Sequence, residues 1–265
     1  MASHERDERD VMVSVPLPIP VLGPAMALAC FAGAVRGYCG FGFAMLLALG
    51  LMLFLPPLEA VPLALLLDLV ASVALWRRAC RLADWTRLRL LLAGMVGATL
   101  IGVWLIASVP PAPMRIAIAL LALAGALSLL LRRESTVSEA RGVRAPVTLF
   151  AGAASGLCQT LASSGGPPLM LYLLQQRLPP NTLRATAILF FAVSSSAALI
   201  GLAFAGALHA QTLSRGAWLL VPALIGNALG QWAFERSPPR SMKWTVAPLL
   251  VALSLWVLAR EAFYG

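Results

Sequence analysis

Along this chain the apolar positions do not alternate with polar ones at the period of a strand or of an amphipathic surface helix. They gather into long runs at 21–55, 58–76, 88–107, 113–131, 146–176, 182–206, 216–234 and 242–260, each bounded by arginine, proline or polar clusters. Six of these are close to the ~20 residues that a helix needs to cross a bilayer. The first and fifth are too long for one crossing: about 35 residues at ~1.5 Å rise reach about 50 Å, against a hydrocarbon core of about 30 Å. Both also carry helix breakers at their centres, "GYCGFGF" at 37–43 and "SSGGPP" at 163–168. Each is therefore expected to go in and come back, as a re-entrant hairpin or a pair of short helices.

Composition changes the solvent. With 60% hydrophobic and 12% charged residues and a mean hydropathy of +0.86, the chain has too little polar surface for a water-soluble globule. It reads as an all-α integral membrane protein. The net charge of +9 then reports orientation and contact with anionic lipid, and no nucleic-acid partner is implied. The opening "MASHERDERD" lacks the basic start of a signal peptide and reads as an exposed tail over 1–20. Cys30, Cys39, Cys80 and Cys158 are too scattered for a disulfide framework or a zinc cluster, so no metal and no cofactor is expected. The histidines are His4 and His209, one in the tail and one in a loop, and no catalytic motif is present, which argues against an enzyme.

The halves repeat. "GAVRGYC" (33–39) answers "GAASGLC" (152–158), "LPPLEAV" (55–61) answers "LPPNTLR" (178–184), and "VPPAPMR" (109–115) answers "SPPRSMK" (237–243). Order is kept with small insertions, so the chain divides into a first transmembrane repeat over 21–131, a cytoplasmic linker over 132–145 and a second repeat over 146–265. Loop charge sets their sense. The three loops of the first half carry 0, 5 and 1 Lys or Arg, and their counterparts carry 2, 1 and 3, opposite in bias at every pair. That predicts two inverted repeats, each a broken hairpin or pair of short helices followed by three transmembrane helices, 8 to 10 helices in all. Arginine-rich loops at 77–89 and 132–146 fall in the cytoplasm on this scheme, with both termini outside.

Non-helical backbone inside a bilayer is tolerated where protein buries it or water reaches it, so two breaks at related places mark a candidate site. Helices starting after each break would aim free N–H groups and positive dipole ends at it, a cradle for a small anionic substrate. Gly37, Gly40, Gly42, Gly165 and Gly166 would allow close approach, Gln159, Thr160, Ser163 and Ser164 would add donors, and Arg36 a full charge. The alternatives are glycines that serve helix packing and an Arg36 that snorkels to headgroups. Asp68, mid-run in "ALLLDLVAS", is costly unless it pairs with Arg36, binds a coupled proton or caps a kink. Ser194, Ser195 and Ser196 either bond back within their helix or line the cavity. Asn181 and Arg184 read as a helix start and an interfacial anchor.

"ASGLCQTLASSGGPPLMLYLLQQRLPPNTLRATAILFFAVSS" resembles the second-half signature of the TauE/SafE sulfite-exporter family, and "GYCGFGFAMLLALGLMLFLPPLEAVPLALLLDLVAS" resembles the first-half segment. The resemblance covers about residues 22–260. It implies a multi-pass inner-membrane permease for sulfite, thiosulfate, sulfoacetate or a related anion. At "GLCQTLASSGG" the chain is more polar than the family's glycine-rich pattern. A passive anion channel and a permease for a non-sulfur carboxylate are the competing expectations. The sequence leaves the oligomeric state open.

Overall fold

The computed structural model describes residues 19–108 and 142–237 apart from 177, 207 and 209, together with isolated positions between 113 and 131 and between 251 and 259. Among the described residues every regular element is a helix: α1 (Ile19–Cys39), α2 (Phe43–Leu51), α3 (Pro57–Leu82), α4 (Trp85–Ser108), α5 (Ala145–Ala162), α6 (Gly166–Gln175), α7 (Pro180–Phe204) and α8 (Ala210–Arg236). Within the described residues five stretches are long and apolar enough to cross a membrane: Val21–Cys39, Pro57–Leu82, Trp85–Leu105, Pro180–Phe204 and Thr212–Arg236. The expected spans at 113–131 and 242–260 lie largely outside the described residues, as do the tail at 1–18 and the linker at 132–141.

Prolines set where helices begin. α3, α5, α6 and α7 each have proline in their first two positions, where a missing N–H removes no helical bond. Both long runs do break, but unequally. The first gives a helix of 21 residues and one of 9; the fifth gives 18 and 10. Each is thus one long helix with a short one folded back along it, Gly50 against Leu28 in the first and the Thr148 hydroxyl bonded to that of Tyr172 in the second, so the hairpin is found and the pair of short helices is not. Every residue of α2 is buried, so this half-length helix is held by protein on all sides.

Helix pairs close on backbone. A Cβ added at Gly33 would lie 2.3 Å from the Ala223 carbonyl oxygen, and one at Gly226 would lie 1.9 Å from that of Cys30. The α4/α5 seam is made the same way: Gly152 would meet the Leu91 oxygen at 2.0 Å, and Gly94 the Leu149 oxygen at 2.0 Å. Small residues let membrane helices approach this closely, and dispersion then replaces the hydrophobic drive that lipid does not supply. Contacts of Cys30 with Gly226 and of Ala34 with Gly230 advance together, so α1 and α8 run side by side in the same direction. α3 and α7 run oppositely: Asp68 meets Ser195, while Arg78 at the far end of α3 shares a cleft with Arg184 at the start of α7. Glu59 pairs with Arg215 at one end of the bundle and Arg78 with Glu235 at the other. The outer faces of α4 and α8 are apolar and exposed, Leu100 at 67% and Val221 at 61%, as suits lipid.

Candidate anion site between the two breaks

The first break forms because Gly40 and Gly42 take φ of 82° and 91°, left-handed values that side chains disfavour. The second turns on Ser163, whose φ of 49° is the one left-handed non-glycine conformation among the described residues. Phe41 of the first break lies against Gly166 of the second, whose added Cβ would come 3.1 Å from the ring. The starts of α2 and α6 therefore face a shared cavity, with Gly42, Ala44, Ser163, Gly166, Arg36 and Asp68 on its wall. It measures about 10 Å³, room for about one water.

A polar chain threads four long helices at this cavity. Arg36 of α1 donates through Nη1 to Asp68 Oδ1 of α3 at 2.5 Å and through Nη2 to Ser72 Oγ. Ser195 of α7 donates to Asp68 Oδ2 at 2.8 Å and accepts from Gln159 Nε2 of α5 at 3.1 Å. The Gln159 side-chain oxygen Oε1 takes the Gly165 N–H at 3.0 Å, and Ser155 Oγ donates to the Gly165 oxygen at 2.5 Å. Arg36 and Asp68 are each 1% exposed, so the pair meets the desolvation cost with direct contact and flanking hydroxyls. The guanidinium carbon also stands 5.8 Å over the Phe191 ring. Two groups at the cavity remain without a partner: Arg36 Nε and Ser163 Oγ. Buried donors are rarely left so, and both are chemically suited to an oxygen of a small anion.

The other expected site residues divide. Gln159 lines the cavity, and Gly165 shapes it through its two hydrogen bonds. Ser164 is buried at the turn, its N–H bonded to the Cys158 oxygen. Gly37 packs instead against α8, an added Cβ meeting the Asn227 oxygen at 2.1 Å, and Gly40 packs on the Arg184 side chain. Thr160 bonds back to the Gly156 oxygen and lies against Gly102 of α4. Ser194 and Ser196 bond back within α7, whereas Ser195 joins the network. Ser72, Ser155 and Phe191 went unnoticed in the sequence. For Ser72 a signal existed: it sits one turn after Asp68 and matches Ser195 in the repeat. Arg184, expected at the interface, is 5% exposed. Among the described residues no group of three His, Cys, Asp or Glu side chains gathers as a metal site would require.

Comparison with curated proteins returned no match, and comparison with solved structures returned none. A family model does match. The model described as "Sulfite exporter TauE/SafE" covers residues 25–257, which takes in most of α1, the whole of α2 to α8, both breaks and the polar chain from Arg36 to Gly165, and the protein belongs to this family of membrane transporters.

Proposed function

We propose that this chain is a permease for a small anion, with sulfite, thiosulfate and sulfoacetate first among the candidates, working by alternating access around the Arg36 cavity. The observation that carries the reading is the Arg36 guanidinium. It is a buried charge with an unpartnered N–H beside a cavity where two helix N-termini meet. Gln159, Ser163, Gly42 and Gly166 complete the cradle. Asp68 is the counter-charge of Arg36: an arriving anion competes with its carboxylate for the guanidinium. Protonation of Asp68 would free the guanidinium, so one proton accompanies the anion. A cavity of about one water requires the pair to part before the anion is seated.

The halves are inverted in this reading. Support comes from the two glycine seams, which pair α1 with α8 and α4 with α5 in the same register, and from the antiparallel crossing of α3 and α7. Arg184 and Glu235 converge with Arg78, which adjoins the 77–89 loop assigned to the cytoplasm by its charge, at one end of the bundle. The membrane is then a bacterial inner membrane.

Counterflow of ³⁵S-sulfite into liposomes holding the purified protein tests the proposal. Saturable exchange is expected, falling at least ~100-fold in Arg36→Ala, about 2.7 kcal/mol of binding or transition-state energy. Equal exchange in Arg36→Ala would move the site elsewhere. Non-saturating flux with a measurable current would replace the carrier by a channel.

A further inference from the structure

Toward the Arg78 end of the bundle lies a second cavity, about 20 Å³ and twice the central one, walled by Arg78 of α3, Asn181 and Arg184 of α7 and Gln231 of α8. Arg184 is 5% exposed and its Nε has no partner. Both hydrogen bonds of its guanidinium leave from Nη2, one to the Gly37 carbonyl oxygen at 2.5 Å and one to Gln231 Oε1. Its plane is held by the Phe234 ring, 4.3 Å from the guanidinium carbon. The nearby acid, Glu235, is taken up by Arg78 and by Gln231 Nε2 at 2.7 Å. One carboxylate thus stands beside two arginines and bonds Arg78, and the more deeply buried Arg184 bonds neutral oxygens alone.

We infer that Arg184, with Asn181 and Gln231, forms a second binding subsite for the transported anion on the arginine-rich side of the membrane. The inference rests on the permease reading above. A buried guanidinium with a free N–H, an adjacent amide donor and an open mouth are what a small oxyanion needs. Position gives the subsite a task. The Gly37 oxygen that Arg184 holds belongs to the residue after Arg36, and Gly40 of the first break packs on the Arg184 stem. An anion taken up by Arg184 competes for the bonds that tie down the end of α1, loosening the segment that carries the central arginine. The subsite loads the anion and unlatches the break in one event.

Equilibrium binding of ³⁵S-sulfite, ³⁵S-thiosulfate and labelled sulfoacetate to the full chain in detergent tests this, with and without added phosphatidylglycerol. At least one probe should bind at two per chain. Arg184→Gln should remove one and Arg36→Ala the other. Because Arg184→Gln also disturbs packing, Asn181→Asp is the parallel variant: Asn181 is exposed, and a carboxylate there should weaken one of the two sites about tenfold and raise KM for anion on the arginine-rich side alone. One anion per chain, lost in Arg36→Ala and unmoved by Asn181→Asp, overturns the subsite and leaves the permease reading intact. Loss of the second anion on adding phosphatidylglycerol assigns the cavity to a lipid headgroup and overturns it too. No binding of any probe overturns both readings together.

Discussion

The two breaks, 40–42 and 163–165, interrupt matching runs of the chain, yet they are built from different chemistry. At the first, two glycines make the turn by conformation alone, and the helix leading into it carries a full charge, Arg36, paired with Asp68. At the second, the position matching Arg36 in "GAVRGYC" and "GAASGLC" is Ser155, and side chains make the turn: Ser155 and Gln159 hold Gly165, and Ser163 accepts a left-handed backbone. The two similar segments thus divide the labour. One copy supplies charge on a permissive backbone; the other supplies neutral donors on a braced one. The difference teaches that the backbone break is what both copies need, while either glycine or a capping side chain can produce it.

Removing one member of the bonded chain at each break sharpens that contrast. Asp68→Ala strands the Arg36 charge in the core and is expected to destabilise by about 3–5 kcal/mol. Gln159→Ala at the second break leaves the neutral Gly165 N–H unpaired and takes one donor from the Ser195 hydroxyl, which keeps its bond to Asp68, at about 1–3 kcal/mol. Thermal unfolding in one detergent reads both. Equal losses would mean that charge adds nothing at the first break. Asp68→Asn is the gentler companion: it keeps shape and should retain sulfite binding while the pH dependence of transport disappears. An unchanged pH profile would strike Asp68 from the coupling role.

A smaller effect separates the two turns. Gly42→Ala puts a Cβ on a backbone at φ 91° and should cost about 1–2 kcal/mol. If alanine is tolerated there without loss, the first break does not depend on glycine's conformational freedom.

Those breaks were legible in the sequence because length and breaker residues act locally: a run too long for the bilayer must turn, and Gly or Pro says where. The partnership of Arg36 with Asp68 was legible as one of several options, because a carboxylate inside an apolar run has few affordable neighbours. What could not be read was which face of each helix turns inward. Ser194, Ser195 and Ser196 look alike in sequence, but successive residues lie about 100° apart around a helix, so one of the three reaches Asp68 while its neighbours bond back. The facing of Gly37 and Gly40 was hidden for the same reason. Lying in the broken segment, they looked like site residues, yet their open sides face α8 and Arg184.

Ser163 offers the finest test of divided labour, since conformation and chemistry pull it in opposite directions. Its left-handed backbone is the one a glycine would hold without strain, so Ser163→Gly removes a cost of about 1 kcal/mol and should raise the melting temperature. Its hydroxyl, buried at the cavity without a partner, has no structural bond to lose. A serine kept for stability would be a poor choice at this turn. A serine kept for the anion would not: Ser163→Gly should then melt higher while empty yet bind sulfite several-fold more weakly, because one donor has left the cradle. If the variant melts higher and binds as tightly as the parent, the second break is a scaffold, and the charged first break does the recognising alone.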